Sequence, residues 1–458
     1  MTVAGRFARR ADAHPLSSVF VLALLVRLVN VALLRGNESF FAESDAFEYW
    51  AMGAALAKPG GFWPGLVAMT DRMPLYPLLL AGVRSAFGEA PRIVALVQAV
   101  IDAGTCTLIA ALGALLSPAI GWTAGILAAL SLTLIVFGSQ ILTDTLFLFF
   151  FTLTLLAGAH FLRRPSRWLA LLAGFAGGLA LAARPTITVL LAAGVPLVLV
   201  VALAHRRGLA AALAATALFT LGAAAPIAPT WLRNVVQYGS VGLTTQAGEH
   251  LASFIVPLVT QRANGTPYQT TVDRMGALYR QRVAERGLGT ETNPFRLAAL
   301  KSELAREEMA RLPLGAYVKA WLEGMVVNLG APALTGDPRM RALPKPSFYN
   351  TPGASLWDKA RAYLLDDPGW YQVLLIAGII GMLPFLVLEA VGFVMLARMQ
   401  PWAAVFAAGV LAYFLLLSGP VATPKYRLPM EPVLIVLAAI PLARTVEWLS
   451  ANRSTERS

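Results

Sequence analysis

The sequence predicts an all-α protein that crosses a membrane about ten times, with interfacial helices in its first outer loop. Three observations predict it. Of 458 residues, 57% are hydrophobic and 14% charged, and the mean hydropathy is +0.65, which leaves too little charge for a water-facing surface. Apolar stretches of roughly 18–25 residues, the length that spans a bilayer as a helix, recur along the chain. Arginines gather at the ends of those stretches, so the net charge of +12 reads as topology rather than as affinity for nucleic acid.

The expected spans are 16–34, 92–116, 120–140, 144–162, 167–183, 186–204, 209–229, 370–397, 402–419 and 428–447. The first follows a basic "GRFARR". It carries Arg27 and Asn30 and lacks a small-residue cleavage site, so it reads as a retained span rather than a signal peptide. Those two polar residues either act in function or pair within the bundle. The segment 74–87 is apolar but too short to cross, and reads as interfacial or re-entrant. With Arg6, Arg9 and Arg10 cytoplasmic, "RRPSR" (163–167), "HRR" (205–207), Arg398 and the "RSTERS" tail fall on the same side. Both termini are then cytoplasmic.

Three regions follow. Residues 1–234 form a membrane module with an extracytoplasmic loop at 35–91. Residues 235–369 form an extracytoplasmic region with amphipathic helices such as "FRLAALKSELAREEMARL". Residues 370–458 hold the last spans. Whether 317–330 enters the membrane is left open. Cys106 is the single cysteine, which excludes an internal disulfide.

The polar residues of the outer face carry the chemistry. Asp45 and Tyr49 share a helix face in "SDAFEYW". Asp45 suits a general base toward a hydroxyl, or it caps its helix together with Glu48 three residues on. Arg72 precedes "MPLYP" and suits a phosphate, or it snorkels to any headgroup. Asp144 sits at a span end, as a second acid or a cap. Arg184 and Arg233 stand at outer span ends against the usual bias, for phosphate or for a carboxylate partner. Together these acids and arginines fit a lipid-phosphate donor and a hydroxyl acceptor. The chain has no P-loop and no Rossmann fingerprint, and its four histidines make no zinc spacing.

At these residues the sequence resembles the GT-C superfamily of membrane glycosyltransferases. The resemblance is to the family 39-like bacterial group, related to protein O-mannosyltransferases and the lipid A aminoarabinose transferase. The pieces that carry it, in order, are "SDAFEYW", "RMPLYPLLLAG", "SQILTDTLF", "GLALAARPT", "PTWLRNVVQYGSVGLTTQAGEHL" and "KYRLPMEPVLIVLAA". The resemblance implies a GT-C-type bundle in the plasma membrane of a bacterium. It implies transfer of a sugar from a polyprenyl phosphate, usually with inversion, to a lipid, glycan or protein acceptor outside the cytoplasm. It implies that Asp45 is the catalytic base or an acid that orients the acceptor, and that Asp144 is a second acid that lines the site or holds a cation. Tyr49, Arg72, Tyr76, Arg184, Arg233, Tyr426 and Arg427 would then line the donor pocket. Two departures stand out: Asp144 replaces a usual Glu, and the closing run begins with Lys425 rather than Arg, a point charge in place of a fork. Metal dependence varies in the family, so no metal is required and a divalent cation stays open. A flippase for a lipid-linked sugar and a structural envelope subunit are the rival readings. The first would need polar groups through the middle of the membrane, and the second leaves the gathered acids and arginines without a purpose.

Overall fold

The structure, a computed structural model, describes residues 15–455 except 42, 43, 346, 349 and 354. All regular elements among the described residues are helical. The first half contains α1 (Pro15–Leu33), α2 (Ser44–Ala57), α3 (Phe62–Ala68), α4 (Leu75–Phe87), α5 (Pro91–Ala114) and α6 (Pro118–Leu130). It continues with α7 (Leu132–Gly138), α8 (Asp144–Arg163), α9 (Arg167–Ala183), α10 (Thr188–Ala204), α11 (Leu209–Ala224) and α12 (Ala228–Tyr238). Then come α13 (Val256–Asn264), α14 (Tyr268–Glu285), α15 (Pro294–Ala310), α16 (Leu314–Gly330) and α17 (Leu356–Leu365). The last three are α18 (Trp370–Met399), α19 (Pro401–Ser418) and α20 (Glu431–Thr455).

All ten expected spans are helical, although length and composition alone pick out fewer than ten. Seven helices are long and apolar enough to cross a membrane, or nine when each of two bent pairs counts as one span. The pairs are α6–α7, bent by 47°, and α11–α12, bent by 65°. The remaining one, α9, has 17 residues, at the short end of the range that spans a bilayer, and it runs back along α8 until Arg184 meets Asp144 at the start of α8. It packs closely on α8 and α11. A methyl group added at Gly174 would collide with the Phe219 carbonyl of α11, so these two backbones touch as small-residue membrane helices do. The segment 317–330 lies within α16, which is not among the helices apolar enough to cross.

The apolar surface is turned outward where lipid would lie. Val200, Leu221, Ile380 and Val387 are all exposed, the reverse of a water-soluble surface. Trp168, Trp370 and Trp402 stand exposed at the starts of α9, α18 and α19, where an aromatic belt would meet the headgroups. The chain is a multi-pass membrane protein. Arg6, Arg9, Arg10 and residues 456–458, which helped set the expected orientation, lie outside the described residues.

Arg27 settles its own alternatives by pairing inside the bundle. Its Nε donates to Asp102 at 2.8 Å, and one Nη donates to the Ala128 carbonyl and the Cys106 sulfur, each at 3.1 Å. The other Nη donates to the Ala129 carbonyl. Those carbonyls end α6, where the chain breaks at Ser131 before α7. A helix C-terminus leaves carbonyls without intrahelical donors, and lipid supplies none. The guanidinium fills that vacancy, and Asp102 balances its charge. Asn30, one turn on, donates to the Ile135 carbonyl at 3.2 Å and joins α1 to α7.

Replacing Arg27 with Met strands Asp102 and the Ala129 carbonyl in a dry core, while the Ala128 carbonyl keeps the Ser131 N–H. The variant should lose about 3–5 kcal/mol of stability, while the double variant Arg27→Met, Asp102→Leu should recover part of it. Thermal unfolding of the purified proteins in one detergent checks both.

Candidate active site

Asp45 lies in the first turn of α2, which begins at Ser44. One carboxylate oxygen lies 3.3 Å from Arg72 and the other 3.5 Å from Lys425. Arg72 comes from the turn before α4 and also binds Glu48 at 2.6 Å. Lys425 comes from the 3-10 turn Pro424–Met430 that leads into α20. The acids are open to solvent, Asp45 at 41% and Glu48 at 52% exposure, while both cations are largely covered. The Arg72 Nε is buried and has no partner among the described residues, so one donor of the fork remains available.

A second pair lies beside the first. Asp144, buried in the first turn of α8, binds Arg184 at the end of α9. Acid at a helix start also suits the helix dipole. The Arg184 guanidinium lies 6.0 Å from the Tyr426 ring centre, and that of Arg72 lies 5.6 Å from the centre of Tyr49. Tyr49 meets Tyr76 edge to face at 5.4 Å. Burial pushes the Tyr49 phenol up to about 12; Arg72 and Arg184 pull it back, and Asp45 and Asp144 add to the rise. One phenol thus senses both ion pairs, which places them in a single electrostatic neighbourhood. It stays protonated near neutral pH and can donate a hydrogen bond but cannot act as a base. Burial likewise raises the Tyr76 phenol.

The site is anchored from below. The Tyr76 hydroxyl donates to the Gln98 side-chain oxygen at 2.6 Å. The Gln98 amide nitrogen donates to the carbonyls of Gly138 at 3.0 Å and Gln140 at 2.7 Å. The Ile141 backbone N–H donates to the Phe40 carbonyl at 3.0 Å. The loop ahead of Asp144 is therefore tied both to the first loop and to α4.

Asp45, Tyr49, Arg72, Tyr76, Asp144, Arg184 and Tyr426 meet, although they come from five stretches of chain. Arg233 and Arg427 are engaged elsewhere. Arg233 holds the Asn234 side-chain oxygen at 2.7 and 2.9 Å and the Leu66 carbonyl, stapling α12 to α3. Arg427 is 3% exposed and binds Glu389, Glu431 and the Leu329 carbonyl. The 3-10 turn explains the split. With three residues per turn, successive side chains diverge, so Lys425 reaches Asp45, Tyr426 reaches Arg184 and Arg427 turns into the bundle. Glu48, Lys425 and Gln98 are the members that sequence reasoning missed. Glu48 was read only as part of a cap, and Lys425 only as a departure. Among the described residues no group of three or more histidines, cysteines or acids could hold a metal ion.

The fold and cluster define a helical membrane protein with a charged, aromatic-lined site. Residues 71–232 match the family model described as dolichyl-phosphate-mannose-protein mannosyltransferase, and no curated protein matches. The match covers well under half of the chain. It takes in Arg72, Tyr76, Asp144 and Arg184 and supports the resemblance to GT-C membrane glycosyltransferases carried by the motifs. The chain is also similar to the crystal structure of ArnT from Cupriavidus metallidurans bound to undecaprenyl phosphate, at 16% identity over 92% of this chain and 77% of that one. The TM-score is 0.33, and a likeness at that level carries no argument.

The two acids should respond differently to neutralisation. Asp45→Asn removes a solvent-open charge and should change stability by less than about 1 kcal/mol. Asp144→Asn leaves Arg184 without its buried partner and should cost about 3–5 kcal/mol. Unfolding midpoints measured side by side distinguish them.

Proposed function

We propose that the protein is a glycosyltransferase that moves a sugar from a polyprenyl-phosphate donor to the hydroxyl of an acceptor outside the cytoplasm, with inversion. The observation that carries this reading is the position of Asp45. It is a solvent-open carboxylate with each oxygen against a different, largely covered cation. The family match and the polyprenyl-phosphate chemistry in that family's description support the donor class.

In this reading the donor's isoprenoid tail lies between the spans and α4, and its phosphate meets Arg72 and Lys425. The free Nε of Arg72 gives the phosphate a first hydrogen bond before any ion pair is broken. As the phosphate draws the cations to itself, Asp45 loses their hold and turns to the acceptor. The acceptor oxygen attacks the anomeric carbon as its proton passes to Asp45. The bond from that carbon to the phosphate oxygen breaks, and the oxygen keeps the electron pair. Arg72 and Lys425 stabilise the growing negative charge on the leaving phosphate. Tyr49, held protonated, donates to the sugar or phosphate. The Asp144–Arg184 pair forms the back wall with Tyr426. The site faces the exterior of a bacterial plasma membrane, with both termini in the cytoplasm. The sugar and the acceptor define the remaining specificity, and the helices of 235–369 shape the acceptor side.

Purified protein in nanodiscs, given a panel of radiolabelled polyprenyl-phosphate sugars and a membrane extract, should transfer one of them. Asp45→Asn should lower the rate by about two to four orders of magnitude at unchanged expression. Lys425→Gln should mainly weaken the use of donor. Binding of donor without transfer, alike in wild type and Asp45→Asn, would overturn the enzyme in favour of a carrier.

A further inference from the structure

A second charged cavity, of about 30 Å³, lies between α13, α16, α17 and the segment that precedes the Lys425 turn. The charged residues in its lining are Arg262, Glu323 and Lys359, two cations and one acid. Arg262 is 9% exposed and its Nε pairs with Glu323 at 2.5 Å. Its Nη1 and the Glu323 Oε2, both buried, make no hydrogen bond among the described residues. Lys359 is 1% exposed, donates to the Gln261 side-chain oxygen at 3.3 Å and lies 5.0 Å from the Phe348 ring centre. Leu258, Ala320, Val327 and Pro420 supply apolar walls.

A buried guanidinium N–H left without an acceptor is costly, and such groups are normally satisfied by protein or by a bound molecule. A salt bridge built only to clamp α13 to α16 would need Arg262 and Glu323 alone. It would not need a second cation in the same lining. From the open Nη1 of Arg262 beside Lys359 we infer that this cavity binds a carboxylate, either as a small free acid or as the acidic group of a larger molecule. A planar carboxylate accepts from a guanidinium edge and an ammonium together. Burial pushes the Lys359 amine down to about 8, with Arg262 adding to the fall and Glu323 opposing it. A bound carboxylate would hold that amine charged. The lining includes Pro420 and Ala422, just ahead of the turn that carries Lys425. The inference does not depend on the transfer reaction.

Thermal unfolding of the purified full-length protein in detergent, titrated with sodium acetate against sodium chloride at equal ionic strength and without donor, tests it. Acetate should give a saturating rise of roughly 2 °C in the midpoint. The rise should vanish in Arg262→Gln, shrink in Arg262→Lys and persist in Arg84→Gln. If Arg262→Gln does not fold, loss of the rise in Lys359→Gln reads the same. Equal shifts with chloride, no shift with acetate, or a shift that survives both cavity variants would overturn the inference and leave a structural clamp. A shift with inorganic phosphate but not acetate would overturn the carboxylate assignment. The free acid and the acidic group of a larger molecule are separated by a second titration with methyl-capped glutamyl peptide.

Discussion

The buried Arg27–Asp102 pair is the contact on which the rest of the membrane module rests. It stands where α6 ends inside an apolar bundle, the one place in a helix where backbone carbonyls go without donors. Water cannot reach them there and lipid cannot help. Arg27 supplies donors from α1, and Asp102 supplies the counter-charge from α5. With the break satisfied, α7 can turn by 47° and deliver the loop that carries Asp144. Asp102 also lies beside that loop's start: a Cβ on Gly138 would come within 3.1 Å of its carboxylate. Gly138 keeps the approach open.

The same helix face reaches the candidate active site. Gln98, Asp102 and Cys106 are spaced by four residues along α5 and so line one stripe. Cys106 and Asp102 hold Arg27, while Gln98 holds Tyr76 and the carbonyls of Gly138 and Gln140. One polar stripe on a membrane helix thus fixes both the bend of its neighbour and the floor of the charged cluster. The cluster above it is balanced in charge, with Asp45, Glu48 and Asp144 facing Arg72, Arg184 and Lys425. A balanced cluster tolerates burial at a lipid boundary, whereas a lone cation there would be costly. In the proposed reaction an arriving phosphate would compete with carboxylates for each cation, which would link donor binding to release of Asp45.

What the sequence reveals follows from what its signals encode. Hydropathy over a window reports transfer to lipid, so the ten apolar segments were legible. It does not report a bend, which is why 120–140 and 209–229 read as continuous. Nor does it show that the 17-residue α9 meets α11 backbone to backbone at Gly174. Asp45, Tyr49, Arg72 and Tyr76 were legible because they lie close together around one loop. Arg27 was left open because its partners, on α5 and α6, are about a hundred positions or fewer away but unmarked by any spacing rule. Lys425 was weighed only against the arginine expected in its place; its pairing with Asp45 joins opposite ends of the chain, and no local pattern encodes it.

The run Lys425-Tyr426-Arg427 shows how the last membrane helix is tied to the chemistry. Its 3-10 geometry sends three adjacent side chains three ways. Two enter the cluster, and the third is buried between Glu389 of α18 and Glu431 at the start of α20. Arg427 also holds the end of α16 through the Leu329 carbonyl at 2.5 Å. The turn is therefore clamped from the side facing away from the site, which leaves Lys425 and Tyr426 little freedom to drift. A lysine has a flexible stem and a point charge, so it needs such a clamp more than a forked arginine would. The buried arginine fixes the backbone, and the backbone places the lysine. That division leaves the charged end of the turn free of the contacts that hold the fold beneath it.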